Sequence, residues 1–76
     1  MTEENPHELI SKKATFYCET ETPVHIVCHT GFFYNGTIKY VGADFILLND
    51  RIKGEMPLFF MEINYIEKFE ERPDEQ

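Results

Sequence analysis

Tryptophan is absent from this chain, cysteine occurs only at Cys18 and Cys28, and seven basic residues face fourteen acids. Each scarcity excludes something. Two cysteines are too few for the disulfide framework of small secreted domains and read as reduced thiols. No apolar run approaches the roughly 18 residues of a membrane span, and no charged-then-apolar leader is visible. The shortage of cations leaves a net charge of −7, the wrong sign for affinity built on phosphate neutralisation. The expectation is a soluble cytoplasmic protein with no membrane partner.

The charge is unevenly placed. Residues 23–66 carry Asp44, Asp50, Glu55 and Glu62 against Lys39, Arg51 and Lys53, so the middle of the chain is close to neutral. Most of the acidity lies in residues 1–22 and 67–76. With 42% hydrophobic and 14% aromatic residues, the chain is globular. At 76 residues it is small enough for subunit contacts to supply part of the burial.

The pattern predicts a flexible N-terminus over 1–5, a single domain over 6–69, and an acidic disordered tail over 70–76. Within the domain, Asn5-Pro6-His7-Glu8 reads as a helix start, with Asn5 as cap and Pro6 at the first helical position. Leu9, Ile10, Ala14 and Tyr17 give an apolar stripe for a helix over 6–17. The run Cys18 to Thr22 before Pro23 ends it.

Five strands follow over 23–69. Val24, Ile26 and Cys28 alternate onto one face before a Thr30-Gly31 turn. A second strand passes Gly36, Ile38 and Val41 to a Gly42-Ala43-Asp44 turn, and Phe45 to Leu48 is the third. A polar turn around Gly54 leads to a fourth apolar strand, Met56 to Met61, whose Pro57 marks an edge or a strand start. In the fifth, Ile63, Tyr65 and Glu67 alternate against Asn64, Ile66 and Lys68. One helix and five short strands suit a small bent barrel.

Chemistry-bearing constellations are few. His25, Cys28 and His29 contain metal-ligating types, but strand alternation puts His25 and His29 on one face and Cys28 on the other. No metal site is expected. No nucleophile–base pair or phosphate-cradling glycine loop is visible, so the chain reads as a non-enzyme without a cofactor.

The segment Pro23-Val24, Ile26, Thr30-Gly31, Gly36, Ile38, Val41 and Ile46-Leu47-Leu48 resembles, without a gap, the Hfq branch of the Sm-like family. The resemblance spans roughly residues 6–68. It implies a mainly β fold, an Sm-like small five-stranded bent antiparallel barrel with an N-terminal α-helix. It further implies a homo-oligomeric ring, a hexamer in that branch, that binds single-stranded RNA in post-transcriptional regulation. SH3-like and other five-stranded barrels share the same apolar and glycine pattern.

The positions that touch RNA in the family are mostly changed. Where its fourth strand carries Tyr-Lys-His, this chain has Phe59, Phe60 and Met61. The base-sandwiching pair aligns with Ala43 and Asp44, a loop aspartate with Gly42, a stacking tyrosine with Val27, and the arginine-rich rim with Cys18, Glu19 and Glu21. Gly31, Phe32, Tyr34 and Asn35 keep a glycine turn, apolar walls and an amide on one face. Phe32, Phe33 and Tyr34 either stack bases or fill the core and a subunit interface. Two readings result: weak RNA binding through Gly31, Phe32, Tyr34 and Asn35, or a protein-interaction adaptor that has lost RNA binding. The adaptor would use Phe32, Tyr34 or a patch of Phe59, Phe60 and Met61.

Overall fold

A computed structural model of the chain describes residues 6–70. Of the ends assigned above as flexible or disordered (1–5 and 70–76), residues 1–5, with the Asn5 cap, and residues 71–76 lie outside the described residues. The first described element is helix α1, Pro6–Glu19. Strands β1 (Val24–Cys28), β2 (Phe33–Val41), β3 (Phe45–Asp50), β4 (Gly54–Phe59) and β5 (Ile63–Lys68) follow, with a 3-10 turn at Phe60–Glu62 between the last two. They form one antiparallel sheet in the order β4-β3-β2-β1-β5. The sheet is open: among the described residues no ladder joins β4 to β5.

α1 runs two residues beyond the expected 6–17 because its end is capped by backbone bonds. Thr22 N–H donates to the Tyr17 carbonyl at 3.0 Å and Glu21 N–H to the Cys18 carbonyl at 3.2 Å. Glu21 adopts a left-handed φ of 56°. This is the Schellman arrangement, with a glutamate where glycine is the usual occupant. Ile10 and Ala14 bury their side chains, Tyr17 is half-buried, and Leu9 stays exposed.

Strand β2 is the pivot of the sheet. Its first residues, Phe33 to Gly36, pair with β1, and Gly36 to Val41 pair with β3. Gly36 therefore has a ladder partner on each side, Val24 and Asp50. A Cβ at Gly36 would overlap the Asn49 backbone carbonyl, so only glycine lets the two halves approach and the strand bend. The sheet folds there around a core. Val24, Ile26, Cys28, Ile63 and Ile66 come from one half, and Ile38, Ile46, Leu48, Leu58 and Phe60 from the other. Ile10 and Ala14 of α1 cover the open end. Each fully buried aliphatic side chain here contributes about 1.5–3 kcal/mol over exposure.

Two bulges correct the expected alternation. The β1–β5 register shifts between Val27, opposite Tyr65, and Cys28, opposite Ile63, which leaves Asn64 as the extra residue. Ile63 and Ile66 consequently share the core face, where strict alternation had set them on opposite faces. The β2–β3 register shifts in the same way at Lys39, between Ile38 and Tyr40. The fourth strand also differs from its expected span. It ends at Phe59, and Phe60 and Met61 belong to the 3-10 turn. β3 extends past Leu48 to Asp50. No helix among the described residues is long and apolar enough to cross a membrane.

Candidate nucleic-acid interface

The candidate residues after β1 occupy a tight turn and the start of β2. Gly31 has φ +99°, and its N–H donates to the Cys28 carbonyl at 2.9 Å. Cys28 N–H donates to the Phe32 carbonyl at 2.8 Å. That turn presents Phe32 to solvent, 68% exposed. Along β2 the side chains then alternate. Phe33 and Asn35 take the face of their ladder partners Val27 and His25, and Tyr34 takes the core-facing side opposite Ile26. Tyr34 and Asn35 thus lie on different faces of the strand.

Sequence reasoning weighed Phe33 as a stacking ring but left His25 out of the site. Phe33 is 60% exposed, with its ring centroid 5.4 Å from that of His25. His25 Nδ1 lies 2.6 Å from Asn35 Oδ1; the amide oxygen accepts, so Nδ1 carries the proton. The cross-strand pairing of positions 25 and 35 was the missing signal, and it requires a register that no local pattern states.

The turn between β3 and β4 closes the other side. Asp50 is 7% exposed. Its carboxylate accepts from Ile52 and Lys53 N–H at 2.9 Å each and from Asn35 N–H at 3.3 Å. Burial pushes the carboxyl pKa up, but the three N–H donors and the nearby Lys53 charge outweigh it and hold it below the usual range. Arg51 N–H donates to the Asn35 carbonyl at 2.9 Å. These bonds fix the turn beside β2. The Lys53 ammonium sits 5.3 Å from the Tyr34 ring centroid, and the Arg51 guanidinium 4.6 Å from that of Phe69.

The result is a groove of about 310 Å³ lined by Phe33, Tyr34 and Asn35 on one side and by Asp50 to Lys53 on the other. It gathers two of the three cations of residues 23–66, Arg51 and Lys53. A more open depression lined by His25, Glu67, Lys68, Phe69 and Glu70 sets two acids against one lysine, so the Arg51–Lys53 side is the more favourable one for an anion.

The second candidate group does not form one surface. Phe60 is 3% exposed and belongs to the core, because the chain turns into the 3-10 segment there. Phe59 and Met61 remain exposed, Met61 at 70%. Nor do the metal-ligating types converge: His29 lies in the turn after β1, its N–H donating to the Glu62 carbonyl at 2.9 Å. Burial first, and then the Glu62 charge, push the Cys28 thiol pKa up, away from the reactive thiolate.

Comparison with known protein families and with curated proteins finds no match. What defines the class is the architecture: a mainly β chain with an N-terminal helix and an open five-stranded antiparallel sheet. Its strand order fits the Sm-like topology.

Proposed function

We propose that this chain is a divergent Sm-like subunit that assembles edge to edge into a ring and binds single-stranded RNA weakly by base stacking. The observation that carries the RNA reading is the groove in which exposed Phe33 and half-buried Tyr34 stand opposite Arg51 and Lys53. Aromatic faces beside cations are what sequence-tolerant binding of single strands needs, at about 1–3 kcal/mol per stacked base. Phe32, at the mouth of the preceding turn, supplies a further stacking face. Asn35 supports the groove wall through His25.

Support for assembly comes from the sheet's two unpaired edges, β4 and β5, at opposite ends of the strand order. Unpaired edges are costly to leave open, and head-to-tail pairing of β4 with β5 of a neighbour removes both in a closed ring. The resemblance makes a hexamer the expected size. On size-exclusion chromatography with light scattering, the particle is then several-fold heavier than the 9.0 kDa chain.

The test for RNA is fluorescence anisotropy with adenine-rich and uridine-rich single strands at two salt concentrations. Saturable binding that Phe33→Ala and Lys53→Ala each weaken is the expected result. Two phosphate contacts predict a shallow salt slope, of about −1.4 for a single strand. No binding at low salt removes the RNA reading and leaves the oligomeric protein-interaction adaptor, for which exposed Phe59 and Met61 are the supporting observation.

A further inference from the structure

Backbone hydrogen bonds at the ends of the ladders show which groups the two free edges of the sheet turn outward. Phe69 N–H donates to the Pro23 carbonyl at 2.9 Å, one step beyond the Val24–Lys68 pair of the β1–β5 ladder. Bonded and non-bonded pairs alternate along an antiparallel ladder. His25–Glu67 is therefore a bonded pair, and Ile26–Ile66 is not. The register is continuous over these residues, since the bulge lies further on, between Val27 and Cys28. The N–H and C=O of Ile66 consequently point away from β1, out of the free edge of β5.

The opposite edge can be phased in the same way. Phe60 N–H donates to the Asp44 carbonyl at 3.0 Å, one step beyond the Phe45–Phe59 pair of the β3–β4 ladder. Alternation then turns the backbone groups of Phe59, Pro57 and Glu55 away from β3. Proline has no N–H, so of these three only Glu55 and Phe59 offer a donor to a neighbouring strand.

The outward carbonyl of Ile66 is already taken. The Lys13 ammonium donates to it at 3.2 Å, across a cleft of about 340 Å³ between Leu9 and Ile10 of α1 and Tyr65 of β5. A lysine laid on an edge strand is one of the devices that hinder strand addition. Ile66 lies within the six residues of β5, so a strand pairing along that edge meets the ammonium.

We propose that Lys13 is a latch on the β5 edge, and that the strand it holds off is β4 of a second copy of this chain. The inference rests on the edge-to-edge assembly proposed above. For the ladder to close, an outward N–H of the neighbour's β4 replaces the ammonium on the Ile66 carbonyl. Lys13 thereby sets the concentration at which the chain assembles.

Sedimentation velocity over a dilution series of the full chain tests this. Lys13→Met keeps a long stem and removes the ammonium, and it should lower the concentration for half-assembly at least fivefold. Net charge predicts the reverse, because losing a cation makes a chain of −7 more acidic and its copies more repulsive. Lys13→Arg retains a charged donor and should assemble like the unaltered chain. Lys39→Met, the same change at an exposed position of β2, should not tighten assembly. Equal tightening by Lys39→Met would assign the effect to added apolar surface and overturn the latch. An unaltered chain that assembles, with Lys13→Met no tighter, overturns the latch and leaves the ring reading standing. If both stay monomeric throughout the series, the ring reading falls and the latch falls with it.

Discussion

His25 and Asn35 face each other across the β1–β2 ladder, and their side chains meet at 2.6 Å between Nδ1 and Oδ1. The contact orients an imidazole whose other neighbour is the Phe33 ring. It also anchors the residue whose backbone receives Arg51 and whose N–H reaches Asp50. One cross-strand pair therefore connects the exposed aromatic to the turn that carries the cations.

Replacing Asn35 with alanine removes that link while leaving the core untouched. A hydrogen bond of this kind contributes about 1 kcal/mol. If it acts on the groove, RNA affinity should fall roughly fivefold, read by anisotropy. The melting temperature should fall by no more than about 4–8 °C, because both side chains are half-buried.

Asp50 should make stability depend on acidity. Its folded pKa is depressed, so its contribution is complete above the unfolded carboxyl value of about 3.9. It is lost as pH falls through the lower folded value. Chemical denaturation followed from pH 7 to pH 2 should show a decline below about pH 4. Asp50→Ala should be less stable at neutral pH by about 1–3 kcal/mol, having stranded three backbone donors. The difference between the two proteins should shrink at the acid end.

Glu21 holds a left-handed conformation at the end of α1, which costs a non-glycine residue about 1 kcal/mol or more. Glu21→Gly should therefore stabilise the protein by about 1 kcal/mol, against the usual penalty for introducing glycine. A rise in the urea midpoint with an unchanged slope is the expected reading. A fall would show that the glutamate side chain contributes more than its backbone strain costs.

Gly36→Ala should be the most damaging small substitution in the sheet. Its Cβ would collide with backbone and not with a movable side chain. Overpacking of this kind costs about 1–3 kcal/mol or more, a large share of a total of about 5–15 kcal/mol. Circular dichroism melts should show a large drop in midpoint. Gly31→Ala, with open space around its Cβ position, should lose only the cost of an unfavourable φ.

The strands were legible where apolar residues alternate locally, as in Val24, Ile26 and Cys28. They were misread where a bulge intervenes, because the extra residue exists only relative to a partner strand. Asn64 and Ile66, expected on one face, were separated for that reason, Ile66 joining Ile63 in the core. Phe60 was misplaced similarly: an apolar run of Phe59, Phe60 and Met61 looks uniform until the chain turns and buries the middle one. The candidate site was half visible. Phe32, Tyr34 and Asn35 stood out as aromatics and an amide after a glycine turn. Arg51 and Lys53 lie about sixteen positions further on and join them only through the β2–β3 pairing.

By itself, the sequence determined the helix, the strand count and the near-neutral charge of the middle, since these follow from local propensity, periodicity and composition. Tertiary structure alone decided which strands become neighbours, where the bulges fall, and which residues stand across the groove from one another. Those outcomes depend on register and on the bend at Gly36, set by packing the two halves of the sheet around one core. Position along the chain carries no such information, because the residues that meet in the groove are brought together by hydrogen-bonded strands.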